Sequence, residues 1–504
     1  MTASFPWLTA LILIPLIAGA VLGAVPSLRR SAKAIGLGVS VLVLIGTIVA
    51  LTGFDVSRAG EAQLVETYSW MSSLSVSISW GVTGMSALMI LLATILVPLV
   101  ILTAHSDRFV ADDEVAAGSR RASYIAWVLV LESVMIAVFA ARDVFLFYVL
   151  FEAMLIPVYF LIGSHGGPKR RAAAIKFLLY SLAGGLIMLI GVIALFTMGP
   201  GGPEGFLIDN LAGAVDASGT TQMLLFLSFF IAFAIKAPMW PVHTWLPDAT
   251  EQAPAGTSTL LVGILDKVGT YGMIALCLPL FPEAAKAAAP WIMILGLVSI
   301  IWGGLLAVAS HDLMRLIAFT SVSHFGFMII GIFSGSAVAM TGAILYMVAH
   351  GVSTAALFLV AGYLAARGGS QRIPDYGGWQ RVTPLLAGGF LVAGLASLAL
   401  PGLSGFIPEY LVLTGTFTAS PWIAGLAVLG VILAALYILL PYQRIFTGAP
   451  TGEAKDLGAA ERTVVGVLTA LMLALGFYPA PVLDMIRPIA DDVSVIVAAE
   501  GSVK

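Results

Sequence analysis

The sequence predicts an all-α polytopic membrane protein of about fourteen transmembrane helices, built as two inverted five-helix repeats with helices seven and twelve broken. Three observations predict it. The 504 residues are 60% hydrophobic and 10% charged, with a mean hydropathy of +1.03, a composition that soluble domains do not reach. Apolar windows long enough to cross a bilayer recur along the whole chain. Two of these windows, five apart, are interrupted: AIKAPMWP by Pro238 and Pro241, and LPGLSGFIPEY by Pro401, Gly402 and Gly405. Broken membrane helices persist only where they are buried or line a polar cavity. A pair at corresponding positions points to an inverted repeat around a central site.

Windows of about twenty apolar residues fall near 5–25, 33–53, 80–104, 122–140, 143–163, 172–198, 221–245, 255–280, 290–309, 313–334, 337–364, 384–417, 421–444 and 461–481. The first follows no basic region and reads as an uncleaved span rather than a signal peptide. Connections after odd-numbered spans are basic, as at Arg29, Arg30, Arg120, Arg121, Lys169, Arg170 and Arg171. Those after even-numbered spans hold few cations, such as Arg58, Arg142 and Lys286. Basic connections stay cytoplasmic, so both termini are expected on the outer, periplasmic side of a cell inner (plasma) membrane. The chain divides into 1–121, three N-terminal helices and their loops; 122–280, the first repeat; 281–447, the second repeat; and 448–504, the last helix and a C-terminal tail. No connection is long enough to bury a core of its own.

Composition also excludes several functions. A net charge of -3 offers no basic surface to nucleic acid. The single Cys277 permits neither an internal disulfide nor a cysteine-built zinc or iron–sulfur site. GPGGPEG at 199–205 lacks the Lys-Ser/Thr of a phosphate loop. His243 and Asp248 come without a nucleophile elbow. There is no HExxH or His/Cys cluster, so no metal site is expected.

The informative residues are polar groups inside apolar spans. A mid-membrane lysine costs roughly 2.5–3.5 kcal/mol on insertion scales and is kept where it is paired or internally solvated. Lys236 stands at the first break; the bland alternative is a kink at Pro238 with Lys236 snorkelling. Lys267 lies midway along 255–280, too deep to snorkel. Glu152, nine residues into an otherwise uncharged span, needs a proton or a cation, and Lys236 is the candidate cation; a protonated structural glutamate is the alternative. Glu132, nine residues into span four, suits either a second carboxylate of the same path or helix packing. A lone buried histidine usually packs, but His324 and His350 occupy consecutive spans, and imidazole suits proton passage near neutral pH. Lys176, a turn from Lys169, Arg170 and Arg171, reads as snorkelling.

FAIKAPMWPVHTWLPDA, the lysine span ending KVGTYG, RLIAFTSVSHFGF, AHGVSTAALFLVAG and PGLSGFIPE together resemble the antiporter-like membrane subunits of respiratory complex I, an NADH-quinone oxidoreductase, and of multisubunit Na+/H+ antiporters. The resemblance implies a proton relay through Glu152, Lys236, Lys267, His324 and Glu409, with Glu132, His350, Asp266 and His243 as further relay or charge partners. Most members carry lysine on helix twelve and one class carries glutamate, as at Glu409. Three residues depart from the pattern. Asp266 replaces an apolar neighbour of Lys267, Met314 stands where lysine is usual, and Pro408 replaces a glycine.

The resemblance further implies proton translocation coupled to quinone reduction elsewhere in the complex. It implies neighbouring antiporter-like subunits on both flanks within the lipid bilayer. No cofactor is expected on this chain; NADH, FMN, iron–sulfur clusters and quinone would belong to other subunits. The alternatives are a subunit of a multisubunit Na+/H+ antiporter or of a membrane-bound hydrogenase, and a structural spacer that has lost transport.

Overall fold

The computed structural model describes residues 5–104, 114–202 and 204–498, without the side chains of 114–118. The first seven long helices are α1 (Trp7–Ala24), α2 (Ala32–Leu51), α3 (Gly84–Leu102), α4 (Glu114–Ala140), α5 (Val144–His165), α6 (Arg170–Met198) and α7, split into Gly219–Lys236 and Trp245–Gln252. After them come α8 (Ala255–Leu280), α9 (Pro282–Ala309), α10 (Leu313–Phe333), α11 (Ala337–Gly368), α12, split into Pro384–Ser397 and Phe406–Ala419, α13 (Pro421–Phe446) and α14 (Ala459–Phe477). Among the described residues thirteen helices are long and apolar enough to cross a membrane; the two short halves of α12 account for the fourteenth expected span.

Local chemistry sets where the helices begin. Asp143, Asp312 and Ser336 accept the N–H groups of Leu146, Arg315 and Ala339 at 2.9, 3.0 and 3.4 Å, so each caps a first turn. Pro282, Pro384 and Pro421 open α9, the first half of α12 and α13, where a missing N–H costs nothing. Burial then sorts the helices. α10 and α8 are 94% buried across their most apolar windows and α11 is 100% buried, against 33% for α1. The polar spans therefore form the centre, and the uniformly apolar ones face outward.

Three elements differ from the sequence expectation. The connection after α2 is ordered as an antiparallel hairpin, β1 (Gln63–Met71) with β2 (Val76–Val82), so α3 begins at Gly84 and not at 80. The hairpin lacks a core of its own and is held by other elements. Glu66 accepts from Leu8 N at 2.7 Å, Thr9 N at 3.1 Å and Thr9 Oγ1 at 2.5 Å, capping α1 from outside. Asp143 accepts Ser77 N at 2.9 Å. The tail after α14 is a further helix, α15 (Ala480–Val497). Its buried stripe of Ile486, Ile489, Ala490 and Val497 opposes Asp484, Arg487, Asp491 and Asp492, an amphipathic pattern. It packs on α11, α9 and α3.

Candidate functional site

The site begins where α7 breaks. Beyond Lys236 the chain leaves the helix at Ala237 and re-enters it at Trp245, with Trp240–Pro241 in cis. Pro238 and Pro241 supply no N–H, and buried backbone groups left over must find other partners. Trp245 Nε1 donates to Ile235 O at 2.9 Å, Met239 N to Ala234 O at 3.1 Å, and Trp240 N to Ser299 Oγ at 2.9 Å. The break is thus secured from α9 and from its own indole.

Lys236 is 1% exposed. Its Nζ has no hydrogen-bond partner among the described residues and lies 5.4 Å from the ring centres of both Phe151 and Phe177, within cation–π range. Glu152, on α5, is within electrostatic reach of Lys236, but its Oε1 also has no hydrogen-bond partner among the described residues. The expected pair is therefore brought together through space and not as a bonded ion pair.

The second lysine is held by a backbone irregularity. Leu261–Leu265 of α8 form a π turn, in which Asp266 N reaches back five residues to Leu261 O at 3.0 Å. In an α-helix that N–H would take Val262 O. Val262 O instead accepts Lys267 Nζ at 2.5 Å. The same Nζ is 2.7 Å from His350 Nδ1 and 5.2 Å from the Phe325 ring centre.

His350, which the relay expectation left as a secondary partner, is thus the histidine that touches Lys267, and His324 is the next group along. The cause is the crossing of α8 and α11: a Cβ on Gly351 would lie 2.9 Å from Gly263 O. Glycine there lets the backbones close in and sets residue 350 against the lysine. The His324 and His350 rings are 5.2 Å apart, edge to face.

Two tyrosines complete the chain of contacts. His324 Nε2 is 3.1 Å from Tyr437 Oη, and its ring is 5.7 Å from that of Tyr346. Tyr346 Oη donates to Glu409 Oε2 at 2.8 Å. Glu409, 4% exposed, sits in the first turn of the second half of α12, where the helix dipole favours an anion. Neither tyrosine was named from sequence. Tyr346 stands one turn before His350 in YMVAH, and that spacing on one face was a usable signal; Tyr437, in the apolar run ALYILL, offered none.

The break in α12 spans Leu398 to Gly405. Gly402 has φ +88°, and a Cβ on Gly405 would lie 2.2 Å from Ala396 O, so the turn requires both glycines, and Pro401 lies between the half-helices. Pro408 lies in the first turn after it, where N–H groups are unpaired in any case. A proline is therefore tolerated at this position. Met314 is buried and packs towards Gly362 of α11, an apolar contact in place of a charge.

The remaining candidates stand apart. Asp266 and Glu132 are fully buried, and none of their carboxylate oxygens has a hydrogen-bond partner among the described residues. His243 is buried in the α7 break, with its ring 6.5 Å from that of Phe319. Close by, Lys176 Nζ bonds Asp248 Oδ2 at 2.5 Å and Thr244 O at 2.9 Å. Arg315 Nη1 bonds Asp248 Oδ1 at 2.6 Å and Glu251 Oε2 at 2.8 Å. Lys176 does not simply snorkel; it belongs to a part-exposed charge cluster at one end of the broken helix. Among the described residues no three His, Cys, Asp or Glu side chains converge as a metal site requires.

Residues 141–436 match the family model described as NADH:quinone oxidoreductase/Mrp antiporter, TM. NADH-quinone oxidoreductase subunit M of Mycobacterium tuberculosis (strain H37Rv) is 45% identical over 520 residues, covering 97% of this chain and 94% of the relative. The chain belongs to the NADH-quinone oxidoreductase subunit M family. The Rhodobacter capsulatus subunit M is 38% identical, covering 95% of each chain. A chain in the structure of respiratory complex I from Thermus thermophilus with bound NADH superposes with a TM-score of 0.88 at 31% identity, covering 98% of this chain and 100% of that one. A chain of the Mrp complex from Dietzia shares the fold, with a TM-score of 0.84 at 21% identity, covering 98% of this chain and all of that one. The matched region 141–436 contains both breaks.

Proposed function

We propose that this chain is a proton-translocating membrane subunit of an NADH:quinone oxidoreductase. The observation that carries this reading is the run of buried contacts from Lys267 through His350, His324 and Tyr346 to Glu409, with Tyr437 bonded to His324 at its side. Buried ionisable groups in a membrane are expensive and mark ion paths, and each handover along this run lies within a hydrogen bond or one ring contact. The proton enters at Lys236 when the charge on Glu152 ceases to stabilise it, moves to Lys267, and leaves by way of Glu409. In a low-dielectric interior each such ion-pair rearrangement is energetically large.

The two breaks at α7 and α12 favour an inverted pair of five-helix units, α4–α8 and α9–α13, with the site between them. The sparse cations of the even-numbered connections favour placing both termini on the periplasmic side of the inner membrane. Glu152, half-buried on one flank, suits contact with a neighbouring antiporter-like subunit, and a second neighbour would take the opposite flank. NADH, FMN, iron–sulfur clusters and quinone belong to other subunits in this reading.

The test is NADH-driven proton uptake by the reconstituted complex with Lys236→Ala in this chain. Uptake lost while NADH:quinone activity persists in detergent supports the reading. Normal uptake per NADH would sink it. Sodium-dependent proton exchange in a preparation without NADH activity would move the chain to the antiporter class.

A further inference from the structure

Asp266 is 0% exposed, and both of its carboxylate oxygens lack a hydrogen-bond partner among the described residues. A carboxylate buried in that way is costly unless it is protonated or faces a cation. Cations stand on both sides of it. One turn along α8, Gly269 abuts the end of the first half of α7: a Cβ there would lie 2.5 Å from Phe233 O and 2.6 Å from Ala237 N.

Residues three apart share a helix face, so Asp266 occupies the face of α8 that meets α7 beside Lys236. Lys236 Nζ is likewise buried and, among the described residues, without a hydrogen-bond partner. Lys267, about 100° further round the helix, faces α11, where it holds His350. Asp266 is within electrostatic reach of both lysines, whereas Glu152 reaches only Lys236. Tyr271, the next polar group on α8 past Thr270, is committed to Phe139 O at 3.2 Å.

We propose that Asp266 carries the proton across α8, accepting it from Lys236 and delivering it to Lys267. The inference rests on the relay reading above and adds the step that reading leaves open. An N–H bond of the Lys236 ammonium breaks as an O–H bond forms on the Asp266 carboxylate, leaving a neutral amine and a neutral acid. That O–H then breaks as an N–H forms on the neutral Lys267 amine, and the carboxylate is restored. The net charge of the three groups is unchanged throughout, so no uncompensated charge is created in the membrane interior.

The test compares proton uptake per NADH oxidised by the reconstituted complex carrying the wild-type chain, Lys236→Ala, Asp266→Asn or Asp266→Glu. Asparagine keeps the size of the side chain and cannot take the proton, so uptake in Asp266→Asn should fall to the Lys236→Ala level. Glutamate should restore at least half of it. Loss in Asp266→Asn that Asp266→Glu does not restore marks a packing role and overturns the step. Normal uptake in Asp266→Asn with loss in Lys236→Ala overturns the step alone, and normal uptake in both overturns the relay itself. Should Asp266→Asn fail to assemble, redox-induced infrared difference spectra of wild type and Asp266→Glu decide. A carboxylic C=O stretching band that moves between them supports the step; identical bands overturn it.

Discussion

Replacing Gly185 by alanine tests the first link of the relay without altering any polar atom. A Cβ at 185 would lie 1.5 Å from Glu152 Oε1 and 2.4 Å from its Cδ. Non-bonded heavy atoms rest about 3.5 Å apart, so the carboxylate must retreat by about 2 Å. Lys236 lies inside at 1% exposure, while Glu152 is only part-buried on the flank, so the open direction leads away from the lysine. For two unit charges on the order of 5 Å apart, a further ~2 Å at an effective dielectric constant of about 20 weakens the attraction by about 1 kcal/mol, or roughly fivefold. NADH-driven proton uptake by the reconstituted complex should fall several-fold with the complex fully assembled. Gly191→Ala is the control: its Cβ would meet Ser228 Oγ at 2.1 Å and the Phe229 ring at 2.8 Å, crowding the same helix against a hydroxyl and a ring instead of a carboxylate. Wild-type uptake in Gly185→Ala, or an equal loss in Gly191→Ala, would refute the electrostatic reasoning.

Tyr346→Phe removes the O–H that donates to Glu409 and leaves a buried carboxylate one bond short, a loss of roughly 1.5–3 kcal/mol. Proton uptake per NADH should drop at least tenfold while NADH:quinone activity in detergent is retained, and unchanged uptake would remove Tyr346 from the path. Arg367 forks onto Glu461 at 3.0 and 2.6 Å, with side-chain exposures of 16% and 6%. Arg367→Ala removes both of these charge-assisted bonds from a buried carboxylate and should destabilise the chain by roughly 3–5 kcal/mol. A thermal melt of the purified complex with no downward shift would contradict the pair's structural role.

The breaks, the buried lysines and Glu409 were legible in the sequence because their signals are local. Proline and glycine interrupt a helix wherever they fall, and a charge inside twenty apolar residues is conspicuous without knowledge of its neighbours. Span positions followed for the same reason, since bilayer thickness sets a length that composition alone can meet. The hairpin at Gln63–Val82 and the helix Ala480–Val497 were not legible, because each is stabilised by surfaces remote in sequence, such as the α1 N-terminus that Glu66 caps.

The order of the site was likewise decided by the tertiary structure. Which histidine meets Lys267 depends on a glycine-lined crossing between α8 and α11, and the place of Tyr437 depends on how α13 lies against α10. Asp266 was visible as an anomalous charge, but only the approach of Gly269 to the end of α7 tells which lysine that face of the helix meets. The sequence by itself determined which groups are buried and ionisable, since hydrophobic context is written residue by residue. Which of them touch was decided only when helices distant along the chain crossed, because side-chain contacts between helices follow from crossing geometry and not from the periodicity of any one helix.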